Sequence, residues 1–267
     1  MWTRTLAASA LVVVCSVAGA LLPAGPAEVP TTTPSGTPVQ PAAAPGPLAG
    51  RLIVIDPGHQ LGNHNYPRKI SRLVPAGGFK KPCNTTGTAT RGGYPEATMA
   101  FQVARALRTR LEGLGAEVRM TRYRNRQDLW GPCVDVRGRA GNRAHADLKI
   151  SIHGDGSTAS GARGFHVIRP TSRKGWTDDI ARSSRHLALD VRAGLHARGI
   201  PYANYIAGGD GLDARGDLGT LNLSDVPTVM VELGNMRAAV DARRMTTRSG
   251  RATYAAGLVR GIRSFLG

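Results

Sequence analysis

A single α/β domain, built on a mostly parallel twisted sheet flanked by helices on both faces, is predicted by three observations. Short apolar runs rich in Ile and Val alternate along the chain with amphipathic helical patterns, and that alternation implies parallel strands covered on both sides. Three of the runs, residues 51–59 (RLIVIDPGH), 148–153 (LKISIH) and 228–232 (TVMVE), each end on a titratable or metal-competent side chain. The 217 residues from 51 to 267 suit one such domain, and no internal repeat is visible.

The chain opens ahead of that domain. Arg4 precedes an uncharged apolar run, residues 6–22, and small residues at 18–20 or 25–27 offer cleavage sites; this is the pattern of a secretory signal over residues 1–27. An uncleaved membrane anchor is the other reading, but seventeen residues lie at the short limit for a spanning helix. Cys15 follows Val14, not the small residue that lipid attachment requires. Residues 28–50 are Pro-, Ala- and Thr-rich with almost no charge, so they are expected to be a linker. An exported protein of the periplasm, cell wall or extracellular space follows.

Within the domain, residues 51–59 read as a buried strand that stops abruptly, because Pro57 cannot donate to a ladder and Gly58 permits unusual backbone angles. His59 is therefore presented beyond the strand's carboxyl end, where open α/β sheets bind ligands. Residues 60–95 read as a long loop. Glu96 opens a helical pattern through Met99, Val103, Leu107, Leu111 and Leu114, ended by Gly115. A short strand is expected over 116–121, a helix over 134–145, and strands over 148–153 and 164–168. An amphipathic helix over 178–197 stops at Gly199, a loop spans 208–219, and a strand over 228–233 leads into helices near 238–245 and 253–265.

Past the signal, Cys83 and Cys133 are the two remaining cysteines, an even number in an exported chain. A disulfide is expected; by loop entropy, closing fifty positions contributes about 4 kcal/mol. Metal ligation and free buried thiols are the alternatives, the first without Cys-x-x-Cys spacing. The net charge is +17, and thirty of the 35 basic residues are arginine. Codon bias in a GC-rich genome explains this as well as attraction to a polyanion does. Outside the cytoplasm that polyanion is a wall polymer or anionic lipid. Few aromatics and no recognition motif argue against nucleic acid. The oligomeric state has no signature, and a membrane contact is expected only through an uncleaved signal.

His59 and His153 end two strands, and Glu96 begins a helix that can aim its carboxylate across the same rim. Two histidines and one carboxylate with a fourth position open form a catalytic zinc set for one ion. A water on such an ion becomes a nucleophile near neutral pH, and Glu232 would be the general base and later the acid. Each residue has a plainer reading alone: His59 as a turn cap, His153 as a core histidine, Glu96 as a helix-start acid, Glu232 as an arginine partner. Among the other histidines, His145, His186 and His196 fit helices, and His64 and His166 are expected to have no part in the site.

These blocks, in this order, resemble the zinc-dependent N-acetylmuramoyl-L-alanine amidases, whose domain opens on a strand followed by D-P-G-H, here Asp56-Pro57-Gly58-His59. The family's second ligand matches Glu96 in Gly93-Tyr94-Pro95-Glu96. Its third matches His153, at the end of Ala146-Asp147-Leu148-Lys149-Ile150-Ser151-Ile152-His153. Its catalytic glutamate matches Glu232 in Pro227-Thr228-Val229-Met230-Val231-Glu232-Leu233-Gly234. The resemblance covers residues 51–267 and implies hydrolysis of the amide between the lactyl group of N-acetylmuramic acid and L-alanine in peptidoglycan or its muramyl peptide fragments. Asp56 is either an orienting group behind a ligand or a strand-end cap. The long 60–95 segment and Gly154-Asp155-Gly156 after the second histidine depart from the family pattern, and Asp155 is a substrate contact or a turn. A wall-binding or regulatory protein on the same fold, and another zinc peptidase or deacetylase of wall material, are the alternatives.

Overall fold

The structure, a computed structural model, describes residues 46–267. The expected signal, residues 1–27, and the linker as far as residue 45 lie outside the described residues. The elements run β1 (Leu52–Pro57), a 3-10 turn, α1 (Pro67–Ser71), β2 (Leu73–Pro75), β3 (Lys80–Pro82), α2 (Glu96–Glu112), β4 (Glu117–Met120), α3 (Val134–Arg139), a second 3-10 turn and β5 (Leu148–Asp155). They continue with β6 (His166–Pro170), α4 (Ala181–His196), a third 3-10 turn, β7 (Leu212–Arg215), α5 (Gly219–Asn222), β8 (Thr228–Asn235), α6 (Ala239–Thr246) and α7 (Arg248–Leu266).

Six strands form one sheet in the order β4-β1-β5-β8-β6-β7. The four from β4 to β8 are parallel, β6 is antiparallel to β8, and β7 is parallel to β6. Side chains alternate across a strand, and here the two faces are chemically different. Ile53 and Ile55 of β1, Leu148, Ile150 and Ile152 of β5, and Val229, Val231 and Leu233 of β8 are buried in one apolar core. The helical stripes close it: Met99, Val103, Leu107 and Leu111 from α2, Leu187, Val191 and Leu195 from α4, and Tyr254, Leu258 and Ile262 from α7. The intervening positions, Asp56, Lys149, Ser151, His153 and Glu232, belong to the other face, which α3 and α5 cover. The titratable side chains therefore stand on the polar side of the sheet.

Several expectations change locally. Leu48 was assigned by composition to the linker, yet it is 3 % exposed and belongs to the main core, its amide donating to Leu114 O. The helix expected over 134–145 ends at Arg139, because Gly141 adopts φ 96°, a left-handed conformation that stops the helix. The segment read as a loop over 60–95 holds α1 and the β2–β3 hairpin, and Cys83 at its end is bonded to Cys133, just ahead of α3. Within 208–219 lies β7, an edge strand of four residues, Leu-Asp-Ala-Arg, none of them buried and too short to stand out as an apolar run. No helix among the described residues is long and apolar enough to cross a membrane.

Lys149 is fully buried on the polar face, with Nζ donating to Arg137 O, Gly138 O and Thr220 O. Burial pulls its pKa down to about 7, but three carbonyls use all three protons of an ammonium. The contacts tie the ends of α3 and α5 to β5. Lys149→Met should leave three buried carbonyls unpaired and destabilise the domain by about 3 kcal/mol, read as a lower urea midpoint.

Candidate active site

The site is assembled at the carboxyl ends of β1, β5 and β8. His59 follows β1 with φ 55°, a left-handed backbone that non-glycine residues adopt at a cost. Two buried arginines hold it there. Arg137 donates from Nη1 to Pro57 O at 2.6 Å and from Nη2 to His59 O at 2.6 Å. Arg122 donates from Nε to Pro57 O at 3.1 Å and from Nη2 to Gly58 O at 3.0 Å and Ala97 O at 2.8 Å, linking the same turn to the start of α2. Gly58 is required by a close approach: a Cβ there would stand 2.5 Å from the ring of His153. The D-P-G-H sequence thus places one histidine and makes room for the other.

Arg137 is anchored in turn by Asp56, with Nη1 to Oδ1 at 2.6 Å; the two side chains are 3 % and 0 % exposed. Thr121 and Ser151 hydroxyls also donate to Asp56. Burial alone would raise the Asp56 pKa, but the guanidinium and the two hydroxyls outweigh it and hold the carboxyl well below its ordinary range. Asp56 contacts neither histidine directly; it acts on His59 through Arg137.

Three donors converge. His59 Nε2 lies 3.1 Å and His153 Nδ1 2.8 Å from Glu96 Oε1, and the donor atoms of all three residues lie within 4.8 Å of one another. The other Glu96 oxygen accepts from Thr88 N at 2.9 Å, which fixes the carboxylate. His59 Nδ1 faces Thr85 O at 3.1 Å, so donation from that nitrogen leaves Nε2 as the free lone pair. Burial opposes charge on His59, but Glu96 prevails and raises its pKa; the two histidines in turn hold Glu96 well below its usual range against its own burial. Metal–nitrogen and metal–oxygen bonds of about 2.0–2.2 Å at tetrahedral angles put donors roughly 3.4 Å apart. The set fits a zinc ion in donor type and in spacing.

Glu232 stands beside this set, in register with His153 across the β5–β8 pair. It is not one of the converging donors. Its Oε2 is buried with no hydrogen-bond partner among the described residues. Burial, reinforced by the negative charges of Glu96 and Asp155, pushes its pKa well above the ordinary carboxylate range. A cleft of about 390 Å³ exposes His59, Glu96, His153 and Glu232 together, walled by Thr85 and Thr88 on one side and Leu218 and Thr220 on the other. The 60–95 and 208–219 segments, set apart by composition, supply those walls.

His166, expected to have no part here, pairs in register with Glu232 across β6–β8, is 3 % exposed, and has an unpartnered Nδ1. His64 is exposed in its 3-10 turn and outside the cleft. Asp155, the last residue of β5, lines the cleft while its Oδ1 accepts from Gly156 N. Arg122 and Arg137 escaped the sequence reading. Thirty arginines gave no reason to select two, and only their burial sets them apart.

A parallel α/β sheet whose carboxyl rim carries two histidines and a carboxylate beside a separate buried glutamate has the layout of a metal-dependent hydrolase. Comparison with known proteins makes this specific. Residues 53–264 match the family model described as N-acetylmuramoyl-L-alanine amidase, and the chain belongs to that family. It is 42 % identical over 226 residues to N-acetylmuramoyl-L-alanine amidase Rv3717 of Mycobacterium tuberculosis, covering 84 % of this chain and 90 % of that protein. Among solved structures, the amidase Ami1 of Mycobacterium abscessus superposes with a TM-score of 0.76 at 39 % identity, covering 82 % of this chain and 100 % of that one. AmiC2 of Nostoc punctiforme, at 21 % identity and a TM-score of 0.59 over 84 % of this chain and 99 % of that one, shares the fold.

Arg137→Met should leave Asp56 buried and unpaired and destabilise the domain by about 3–5 kcal/mol, measurable by urea unfolding. The lowered Asp56 pKa contributes stability that is complete above its unfolded value, 3.8, and is lost as pH falls below it. Melting temperatures measured from pH 6 to pH 2 should therefore fall less steeply for Asp56→Asn, which starts lower, than for the unsubstituted protein.

Proposed function

We propose that this chain is an exported, zinc-dependent amidase that hydrolyses the bond between the lactyl carbonyl of N-acetylmuramic acid and L-alanine of peptidoglycan stem peptides. Residues 1–27 act as the export signal and 28–45 as the linker, ahead of the catalytic domain. The observation that carries the reading is the convergence of His59 Nε2 and His153 Nδ1 on Glu96, with Glu232 separate, buried and unpartnered beside them.

His59, Glu96 and His153 would hold one zinc ion. When bound, the ion supplies Lewis acidity at the scissile carbonyl and lowers the pKa of water. The rest is work for the chain's own groups. Glu232 accepts the proton released by the attacking water and returns it to the leaving amine of L-alanine, and its raised affinity for a proton suits both halves of that transfer. Thr85 O keeps His59 in the tautomer that presents Nε2, and Thr88 N keeps Glu96 from turning away. The cleft admits an extended substrate whose amide passes between the histidines and Glu232.

The test is to incubate the zinc-loaded protein with a muramyl peptide and identify products by mass spectrometry. The expected product is intact peptide with a free L-alanine amine. Chelation should abolish its release, as should Glu232→Gln, by about 10²–10⁴-fold, while Glu232→Gln still binds one zinc by elemental analysis. Cleavage at a different bond would move the enzyme to another class of wall hydrolase, and cleavage that survives chelation would overturn the zinc assignment.

A further inference from the structure

A second cavity, about 640 Å³, opens beside the cleft on the same rim of the sheet. Its walls continue the walls of the cleft. Gly156 borders the cleft and Ser157 the cavity; Thr88 borders the cleft and Arg91 the cavity; β8 carries Glu232 in the first and Asn235 in the second. Three residue steps along β8 lead from Glu232 to Asn235, so the cavity begins about 10 Å along the strand from the glutamate. That is the span of about three extended residues.

The charge of this cavity is one-sided. Arg91, Arg163 and Arg237 line it, and none of them is among the described ion pairs. Arg91 donates from Nε to Arg237 O at 3.2 Å, and its Nη groups make no other hydrogen bond among the described residues. No acidic residue lines the walls. The nearest one in sequence, Asp241, is fully buried and accepts from the amides of Gly164 and Asn235 through Oδ2. The opposite end of the cleft is different. There Lys81 lies 3.3 Å from Asp217 and Arg215 2.7 Å from the same carboxylate, which offsets one of the two charges.

An extended chain threaded through the cleft therefore meets three arginines outside any described ion pair at one end, and at the other a lysine and an arginine that share a carboxylate. The two halves of the proposed substrate differ in the corresponding way. The sugar side offers hydroxyls and amides, and the peptide side offers carboxylates on the residues after L-alanine. Resting on the amidase reading, we infer that the Arg91–Arg163–Arg237 cavity is a subsite for the free carboxylates of the stem peptide, and that it fixes the direction in which substrate lies across the metal centre. Guanidinium groups suit this task because they bind carboxylates through paired N–H donors. Three of them in a half-open cavity give charge-assisted contacts that neutral carboxamides cannot replace.

The test compares two muramyl tripeptides that differ only in amidation of the free carboxylates on their second and third residues, with the zinc-loaded enzyme. The carboxylate form should be hydrolysed with a kcat/KM at least tenfold higher, carried by KM, a ratio that rising salt reduces. In Arg163→Ala/Arg237→Ala the ratio should collapse toward one, and Arg163→Lys/Arg237→Lys should restore part of it. Equal kcat/KM for both peptides in the unsubstituted enzyme would overturn this inference while leaving the amidase reading intact. An equal loss on both peptides in the variants, with the ratio preserved, would also overturn it, since that is the signature of a structural role. Failure of the unsubstituted enzyme to cleave either peptide at the L-alanine amide would instead overturn the amidase reading.

Discussion

A carboxylate and a guanidinium, both removed from water, face each other at the end of the first strand, and the geometry of the site follows from that pair. Neither charge is stable alone in such a place, so Asp56 and Arg137 are held together and each exhausts its remaining hydrogen bonds on neighbours. The neighbours of Arg137 are the carbonyls of Pro57 and His59. Through them the pair holds the turn after β1 in a left-handed conformation that the chain would otherwise leave, and His59 points at Glu96 as a consequence. Arg122 repeats the device on Gly58 and Ala97, so the first histidine and the helix bearing Glu96 share one rigid support.

The sheet separates packing from chemistry by its two-residue period. One face, led by Ile55, Ile152 and Val231, is closed by α2, α4 and α7 without a charged group in the cluster. The other face carries Asp56, Lys149, His153 and Glu232; Asp56 and Lys149 are paired with the short helices α3 and α5, and His153 with the first residue of α2. Glu232 is the exception, its Oε2 left without a partner. The two glutamates of the site illustrate what this accomplishes. Glu96, between two histidines and capped by an amide, is held ionised; Glu232, buried beside other acids, is held ready for a proton. Two identical side chains a short distance apart are given opposite proton affinities by their surroundings.

Charge on the surface is organised by the same logic at longer range. The excess of arginine, uninformative as a total, includes residues consumed inside the fold, a residue paired with Asp217 at the hairpin side of the cleft, and three residues outside any described ion pair in the cavity beyond Asn235.

The chain's one-dimensional pattern was enough for the sheet strands β1, β5 and β8, for α2, and for the three donors with Glu232, because each lies at the end of an apolar run or the start of a strongly periodic helix. Such signals are local. The pairing of Cys83 with Cys133 was legible too, since only two cysteines lie beyond residue 27. Tertiary structure alone decided the antiparallel placement of β6, the edge strand β7, the hairpin within residues 60–95, and the approach of His166 to Glu232, since each depends on partners distant in sequence. It also decided which arginines matter. Arg122 and Arg137 look like any of the other basic residues until burial removes water from them, and a guanidinium without water must find carbonyls and carboxylates wherever the fold supplies them.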